Sequence, residues 1–255
     1  MIEKLKQNKF LFEELVKRDF KKKYKRTVLG MIWSMLSPLM NLLVMSLIFT
    51  QFFGRNTAHY TIYLFSGNIV ISFYKESTKG GMTSLMGNSG IFTKINVPKY
   101  LFLFSRNVSA LINFGLTLVI YFIFVAFDGI QFHWNFLFLI IPITCLVVMN
   151  IGIGMILSAL YVFFRDIEYL YDIFLTLLTY LSAIFYTLDG FSPKVQKMFL
   201  LNPVYVVIKF IRTIVIDGNL PSIQYAILCA SYALLYFGIG AWFYKHYNRR
   251  FLYYV

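Results

Sequence analysis

Charge is scarce in this chain. Only 14% of its 255 residues are charged and only eleven are acidic, against roughly 25% charged residues in a soluble domain. Cys145 and Cys229 sit in apolar segments and form no CxxC, so they read as small buried apolar residues, not as a redox or thiolate metal site. No glycine is followed by lysine, which excludes a phosphate-cradling P-loop. HExxH and GxSxG are missing too, and His59, His133 and His246 are far apart, so the metalloprotease and serine-hydrolase sets are absent.

The composition is instead 59% hydrophobic and 20% aromatic, which makes the expected class an all-α integral membrane protein. Apolar spans are expected at 31–53, about 60–80, about 105–127, about 136–164, about 167–188 and about 222–244. Residues 1–30 are expected to form an amphipathic interfacial helix and 31–255 a six-helix transmembrane domain. The first thirty residues are too charged, and the first apolar segment too long, for a cleavable signal peptide. Six spans put both termini on one side, and nineteen of the 24 Lys and Arg then fall on that side, which assigns it to the cytoplasm. The net charge of +13 is thereby read against the membrane, and nucleic acid is not expected as a partner.

Five of the six residues from Lys21 to Arg26 are basic. Phe12, Val16, Phe20 and Tyr24 recur every four residues before and within that run, with Leu11 and Leu15 beside them, which predicts a helix with one apolar face lying in the headgroup layer. The basic run serves topology, a generic anionic surface or a specific anion, and these readings are compatible.

Two connections are long. On the inside, residues 75–104 carry glycines and serines that interrupt a helix, and Met82, Leu85, Met86 and Ile91 predict a short amphipathic turn. Lys75 and Glu76 fall near the interface or in a hydrated cavity. On the outside, the apolar run after Pro203 is about 13 residues, which suits a re-entrant or interfacial segment and is too short to span. Lys209 and Arg212 share one face of it at i,i+3. Arg165 and Asp166 are either interfacial charges or a tight inner turn that touches a cytoplasmic partner. Asn150, Gly154 and Ser158 form a small or polar stripe, which is a helix-packing face or part of a subunit interface.

Ion-coupled transporters keep an acidic residue at mid-membrane. The acids here are expected at segment ends or in loops, with Asp172 the deepest. The layout is that of a transporter without its own energy source, so a passive channel or a permease driven by a separate subunit is expected. A membrane glycosyl- or acyltransferase is the alternative, resting on the cluster of Asp166, Glu168 and Asp172. An ion-coupled flippase is a further one. The many aromatics belong to interface belts and lipid-facing packing, or in part to a pore whose ring faces pass sugar C–H surfaces. Trp33, Phe73, Tyr74, Phe185 and Tyr186 are the pore candidates.

At this point the order of motifs resembles a known family, the transmembrane subunits of type-2 ATP-binding-cassette exporters of polysaccharide, of O-antigen, teichoic acid or capsule type. The resemblance rests on "LVKRDFKKKYKRTVLGMIWSMLSPLMNLLVMSLIF", with Leu29, Gly30, Trp33 and Pro38 opening the first span. It also rests on "YTIYLFSGNIVISFY", "GIFTKINVPKY", "SALYVFFRDIEYL" and "LLNPVYVVIKFIRTIVIDG". Asn202, Pro203, Lys209 and Arg212 then resemble the outer re-entrant segment. The family's Ser-Pro in the fifth span is replaced here by Ser182–Ala183, which removes an expected helix break.

The resemblance implies a homodimer with one aromatic-lined pore at the subunit interface, in a bacterial plasma (inner) membrane. It implies no cofactor on this chain, with ATP and Mg bound by two copies of a separate ATPase subunit. These would dock from the cytoplasm at Met82, Ser84, Leu85, Asn88 and Ile91, and at Arg165 and Asp166. The implied substrate is a polysaccharide on a polyprenyl diphosphate lipid, whose diphosphate would meet Lys21, Lys22, Lys25 and Arg26 at the inner headgroup level. No metal and no catalytic residue is expected.

Overall fold

The computed structural model describes residues 8–24, 27, 29–53, 58–95, 97–247 and 251. Its helices are α1 (Lys9–Tyr24), α2 (Trp33–Phe53), α3 (Tyr60–Thr83), α4 (Ser89–Phe92), α5 (Tyr100–Phe127), α6 (Ile140–Phe163), α7 (Ile167–Tyr180), α8 (Pro193–Phe199), α9 (Pro203–Val215) and α10 (Ile223–Tyr247). No strand occurs among the described residues, so the expected all-α class holds. Among the described residues, three helical stretches are long and apolar enough to cross a membrane: α5, α6 with the 3-10 turn before it, and α10. Helices α8 and α9 form a pair bent by 106°, a broken span or re-entrant loop.

Glycine sets the closest helix approaches. A Cβ on Gly152 of α6 would lie 2.5 Å from the Tyr236 and Phe237 backbone of α10. A Cβ on Gly81 of α3 would lie 2.9 Å from Gly154 of α6. Without a hydrophobic drive between helices in lipid, such backbone-to-backbone packing supplies the attraction. The stripe of Asn150, Gly154 and Ser158 is buried within the chain, as a helix-packing face.

Helix α1 docks on α5 through the expected apolar face. Leu15 and Asp19 are its buried line, and Phe12, Val16 and Phe20 flank them half-buried. The Asp19 carboxylate accepts from Arg18 at 2.7 Å and from Ser105 at 3.2 Å, and lies 3.4 Å from Arg106. Arg18 also donates to the Asn88 side chain at 2.7 Å, which ties α1 to the segment after α3. Asp19→Ala removes the one anion between two guanidinium groups and is expected to loosen α1. The check is labelling of Leu15→Cys by a water-soluble maleimide in a chain without Cys145 and Cys229. Labelling is expected to rise several-fold over Leu15→Cys alone.

The expected fifth span is corrected. Its helix, α7, stops at Tyr180 and not near Leu188, so it is about 21 Å long, short of the roughly 30 Å hydrocarbon core. The helix break survives without a proline. Ala183 sits at φ +48° in the left-handed region, so the break is enforced by contacts from elsewhere in the chain.

Candidate functional site

The unwound stretch after α7 exposes a run of backbone carbonyls in an apolar setting, where each needs a donor. Side chains from α3 and α9, and from the residue that caps α9, supply them. Asn202 caps the N-terminus of α9 by accepting from the Val204 and Tyr205 amides, while its amide donates to the Leu181 carbonyl at 3.1 Å and to Ser182 Oγ at 3.0 Å. Tyr60 donates to the Phe185 carbonyl and Tyr63 to the Tyr186 carbonyl, both at 2.7 Å. Pro203 opens α9 at its first turn, where a missing N–H costs nothing.

Arg212 is the centre of this arrangement. It is only 7% exposed. Its guanidinium donates to the Ala183 carbonyl at 2.9 Å, the Ile184 carbonyl at 3.3 Å and the Tyr63 carbonyl at 3.0 Å, and to Ser66 Oγ at 3.2 Å. It also stacks 3.4 Å from the Tyr63 ring centre. These acceptors are neutral oxygens. The negative end of the α7 dipole and the loosened carbonyls beyond it supply the compensating field. Gly67 makes room, since a Cβ there would lie 2.9 Å from Arg212 Nη2. Lys209 turns to the Tyr225 ring, 4.9 Å from its centre. Lys209 and Arg212 line one pocket with Asp189 and Asp217. Burial raises the Asp217 carboxyl above its usual range, with Asp189 adding to the rise and Lys209 opposing it.

The five pore candidates are not brought together. Trp33 and Phe73 line a cavity of about 430 Å³ between α2, α3 and α5, where Phe73 stacks on Phe114 at 4.5 Å. Tyr74 is buried beside Tyr171 and Thr78, behind that wall. Phe185 and Tyr186 belong to the unwound stretch, with Phe185 stacked on Phe49 at 4.7 Å and the Tyr186 hydroxyl donating to the Tyr180 carbonyl. Asp172 is exposed and pairs with Lys79 at 2.7 Å. Glu76, seven residues before the end of α3, faces the same cavity as Trp33, which favours the cavity placement expected for it.

Of the residues expected to meet a cytoplasmic partner, Met82, Ser84, Leu85 and Asn88 are buried within the chain and Ile91 is half-buried. The apolar side of that segment covers the chain's own core. Its exposed positions are Gly87, Gly90, Thr93, Lys94 and Ile95, while Arg165 and Asp166 are exposed on their turn. Lys21 is exposed on α1, and Lys22 lies in the α1 backbone, whereas Lys25 and Arg26 lie outside the described residues.

Sequence comparison decides the family. The ABC-2 type transporter membrane family model matches residues 11–216, from within α1 to just past α9. The chain belongs to the ABC-2 type transporter family. The O-antigen export system permease protein RfbA of Myxococcus xanthus is 25% identical over 226 residues, 88% of this chain and 87% of that protein. A Klebsiella pneumoniae protein of the same name is 26% identical over 220 residues, 83% of each chain. The polysialic acid transport protein KpsM of Escherichia coli is 22% identical over 213 residues, 82% of this chain and 83% of the relative.

The ABC-2 match takes in the whole Arg212 arrangement. Sequence reasoning named Arg212, Asn202 and Pro203 but missed their partners Tyr60, Tyr63 and Gly67. The signal for the last two was a polar ring and a glycine at i,i+4 in an otherwise apolar α3. Asp19, Ser105 and Arg106 were missed because their meeting joins elements distant in sequence.

Proposed function

We propose that this ABC-2 chain is the membrane-spanning permease of an exporter that moves a polysaccharide out of the bacterial cytoplasm. The observation that carries the reading is the similarity, over 82% to 88% of this chain, to proteins named for O-antigen export and polysialic acid transport. The glycan is built on a polyprenyl diphosphate lipid, of O-antigen, teichoic acid or capsule type. Two copies of this chain pair around one aromatic-lined channel, with six spans each and both termini in the cytoplasm. Two copies of a separate ATPase bind ATP and Mg.

Several features support the finer points. Basic residues concentrate on the side assigned to the cytoplasm. Helices α2 and α7 expose apolar side chains, among them Leu47, Val44, Ile173 and Leu170, and these faces suit a second copy and the channel. The exposed positions Gly87, Gly90 and Thr93 to Ile95, with Arg165 and Asp166, form the face offered to the ATPase. Lys21, Lys22, Lys25 and Arg26 meet the lipid diphosphate, each basic group near an anionic surface contributing about 1 kcal/mol.

Co-purification tests the reading. The chain is expected to bring down an ATPase whose hydrolysis rises when the lipid-linked glycan is added, and a chain that brings down none overturns it. Replacing Lys21, Lys22, Lys25 and Arg26 by Gln is expected to cut export at least tenfold, since about 4 kcal/mol of attraction is removed. Reporter fusions are expected to show unchanged topology. Normal export would remove the diphosphate role.

A further inference from the structure

The two cysteines stand 84 residues apart in the sequence, and the fold brings them to one helix seam. Helices α6 and α10 touch backbone to backbone where Gly152 faces Tyr236 and Phe237. Seven residues before Gly152 comes Cys145, and seven before Tyr236 comes Cys229. Seven residues make two helical turns with a drift of only about 20°, so both side chains return to the face that carries the glycine contact. The step is also the same length on each helix, about 10.5 Å. The buried residues of α10 trace that line: Cys229, Ala233, Gly240 and Tyr244. Cys229 is 3% exposed within the main apolar core, and the half-buried Cys145 packs against the same core. The two thiols are free and lie within hydrogen-bonding reach of one another.

We propose that Cys145 and Cys229 are an oxidisable pair, closed by hydrogen peroxide into a disulfide that staples α6 to α10. Peroxide is small and uncharged, so it enters an apolar seam that a charged thiol reagent does not. Cys145 reacts first, because it keeps partial exposure while Cys229 is covered. Its sulfur attacks one peroxide oxygen. An S–O bond forms, the O–O bond breaks, and the departing hydroxide leaves as water with the Cys145 thiol proton. The Cys229 sulfur then attacks the sulfenic sulfur. An S–S bond forms, the S–O bond breaks, and a second water leaves with the Cys229 proton. The two sulfurs give up two electrons, and one peroxide is reduced to two waters. The glycine contact favours closure, because a disulfide needs Cα atoms about 4.4–6.8 Å apart. Both cysteines lie in the first two turns of their helices. On the topology proposed above that is the outer end, away from the cytoplasmic thiols that reduce disulfides. The closed loop contains α7, α8, α9 and Arg212, so the bond restrains the unfolded chain around the whole Arg212 hub.

The test uses the full chain in isolated membranes. Hydrogen peroxide is added and then removed with catalase, and the remaining thiols are blocked with a maleimide under denaturing conditions. Peptides are compared by mass spectrometry with and without reductant. A Cys145–Cys229 linked peptide is expected, in chains that run as monomers on a non-reducing gel. The thermal transition of the oxidised, purified protein is expected to rise by several degrees and to fall back with dithiothreitol. Cys145→Ala and Cys229→Ala are each expected to abolish that rise. Thr144→Cys in the Cys145→Ala background moves the thiol one residue, about 100° around α6, to an exposed position, and is expected to give no linked peptide. The proposal is overturned if peroxide leaves both thiols free, if oxidation stops at an acid on Cys145, or if the bond joins two copies of the chain. It is overturned as well if Thr144→Cys links to Cys229 as readily as Cys145 does, since the seam would then not be what pairs the thiols.

Discussion

Arg212→Met is expected to abolish export and to lower the stability of the purified protein by on the order of 3 kcal/mol. The substitution keeps an apolar stem of similar length and removes five N–H donors at once. The Ile184 carbonyl loses its guanidinium donor, while the Ala183 carbonyl keeps the Tyr63 hydroxyl and the Tyr63 carbonyl keeps the Ser66 hydroxyl. An unsatisfied buried carbonyl costs about 1–3 kcal/mol, more than the net worth of the bond it lost. Arg212→Lys separates charge from geometry. A lysine carries the same charge on one ammonium, which cannot bridge α3 and the unwound stretch as the planar fork does. It is expected to recover less than half of the lost stability. Gly67→Ala approaches the same hub from the other side, with a Cβ 2.9 Å from Arg212 Nη2 and 3.1 Å from Ile184, and is expected to produce a milder version of the same defect. Thermal unfolding and export in cells are the two readouts. Native values of both in Arg212→Met would mean that the break is held by Asn202, Tyr60 and Tyr63 alone.

This hub shows where the sequence was readable and where it was not. The short apolar run after Pro203 pointed to a re-entrant segment because 13 residues of helix cannot span a bilayer, and the observed helix is Pro203–Val215. The end of α7 was misplaced because periodicity continues through "LSAIFYT" with no proline or glycine to stop it. What stops it is a set of donors from residues 21 to 125 positions away, which no local pattern encodes. Asparagine, serine and glutamate on α3 recur at i, i+4 and i+8, and that signal was visible. The void it faces forms only when α2 and α5 pack beside it, each with polar residues of its own. Met82 and Leu85 were correctly read as one apolar face, but an apolar face next to a chain's own core is covered by that core before any partner reaches it.

The α1 docking and the Arg212 hub lie at opposite ends of α3, and that helix joins them. Asn88, just beyond its C-terminal end, accepts from Arg18 of α1, while Tyr60 and Tyr63, in its first turn, hold the unwound stretch. A rigid helix between two polar anchorages passes a displacement from one to the other. Two residues before its C-terminal end, α3 packs through Gly81 against Gly154 of α6, and α6 in turn depends on α10.

The support under α6 gives the second large effect. Gly240→Ala is expected to destabilise the protein by about 1–3 kcal/mol or more, because the added methyl would overlap the Gly152 carbonyl. A side chain in the way swings to another rotamer, whereas a backbone carbonyl moves only with its helix. Helices α6 and α10 must therefore part along their length, losing the close packing on which association in lipid depends. Gly238→Ala, two residues away on the same helix, is the control. Its Cβ meets nothing within 4 Å, so it is expected to be neutral or to stabilise by up to about 1 kcal/mol through helix propensity. The pair cancels propensity and leaves contact. Gly152→Ala is expected to match Gly240→Ala, since its Cβ would lie 2.5 Å from the Tyr236 and Phe237 backbone. The double variant is expected to cost clearly less than the sum of the two, because one separation of the helices relieves both overlaps. Additive costs in thermal unfolding would mean that the two glycines answer to different neighbours, and that the α6–α10 contact does not act as a single seam.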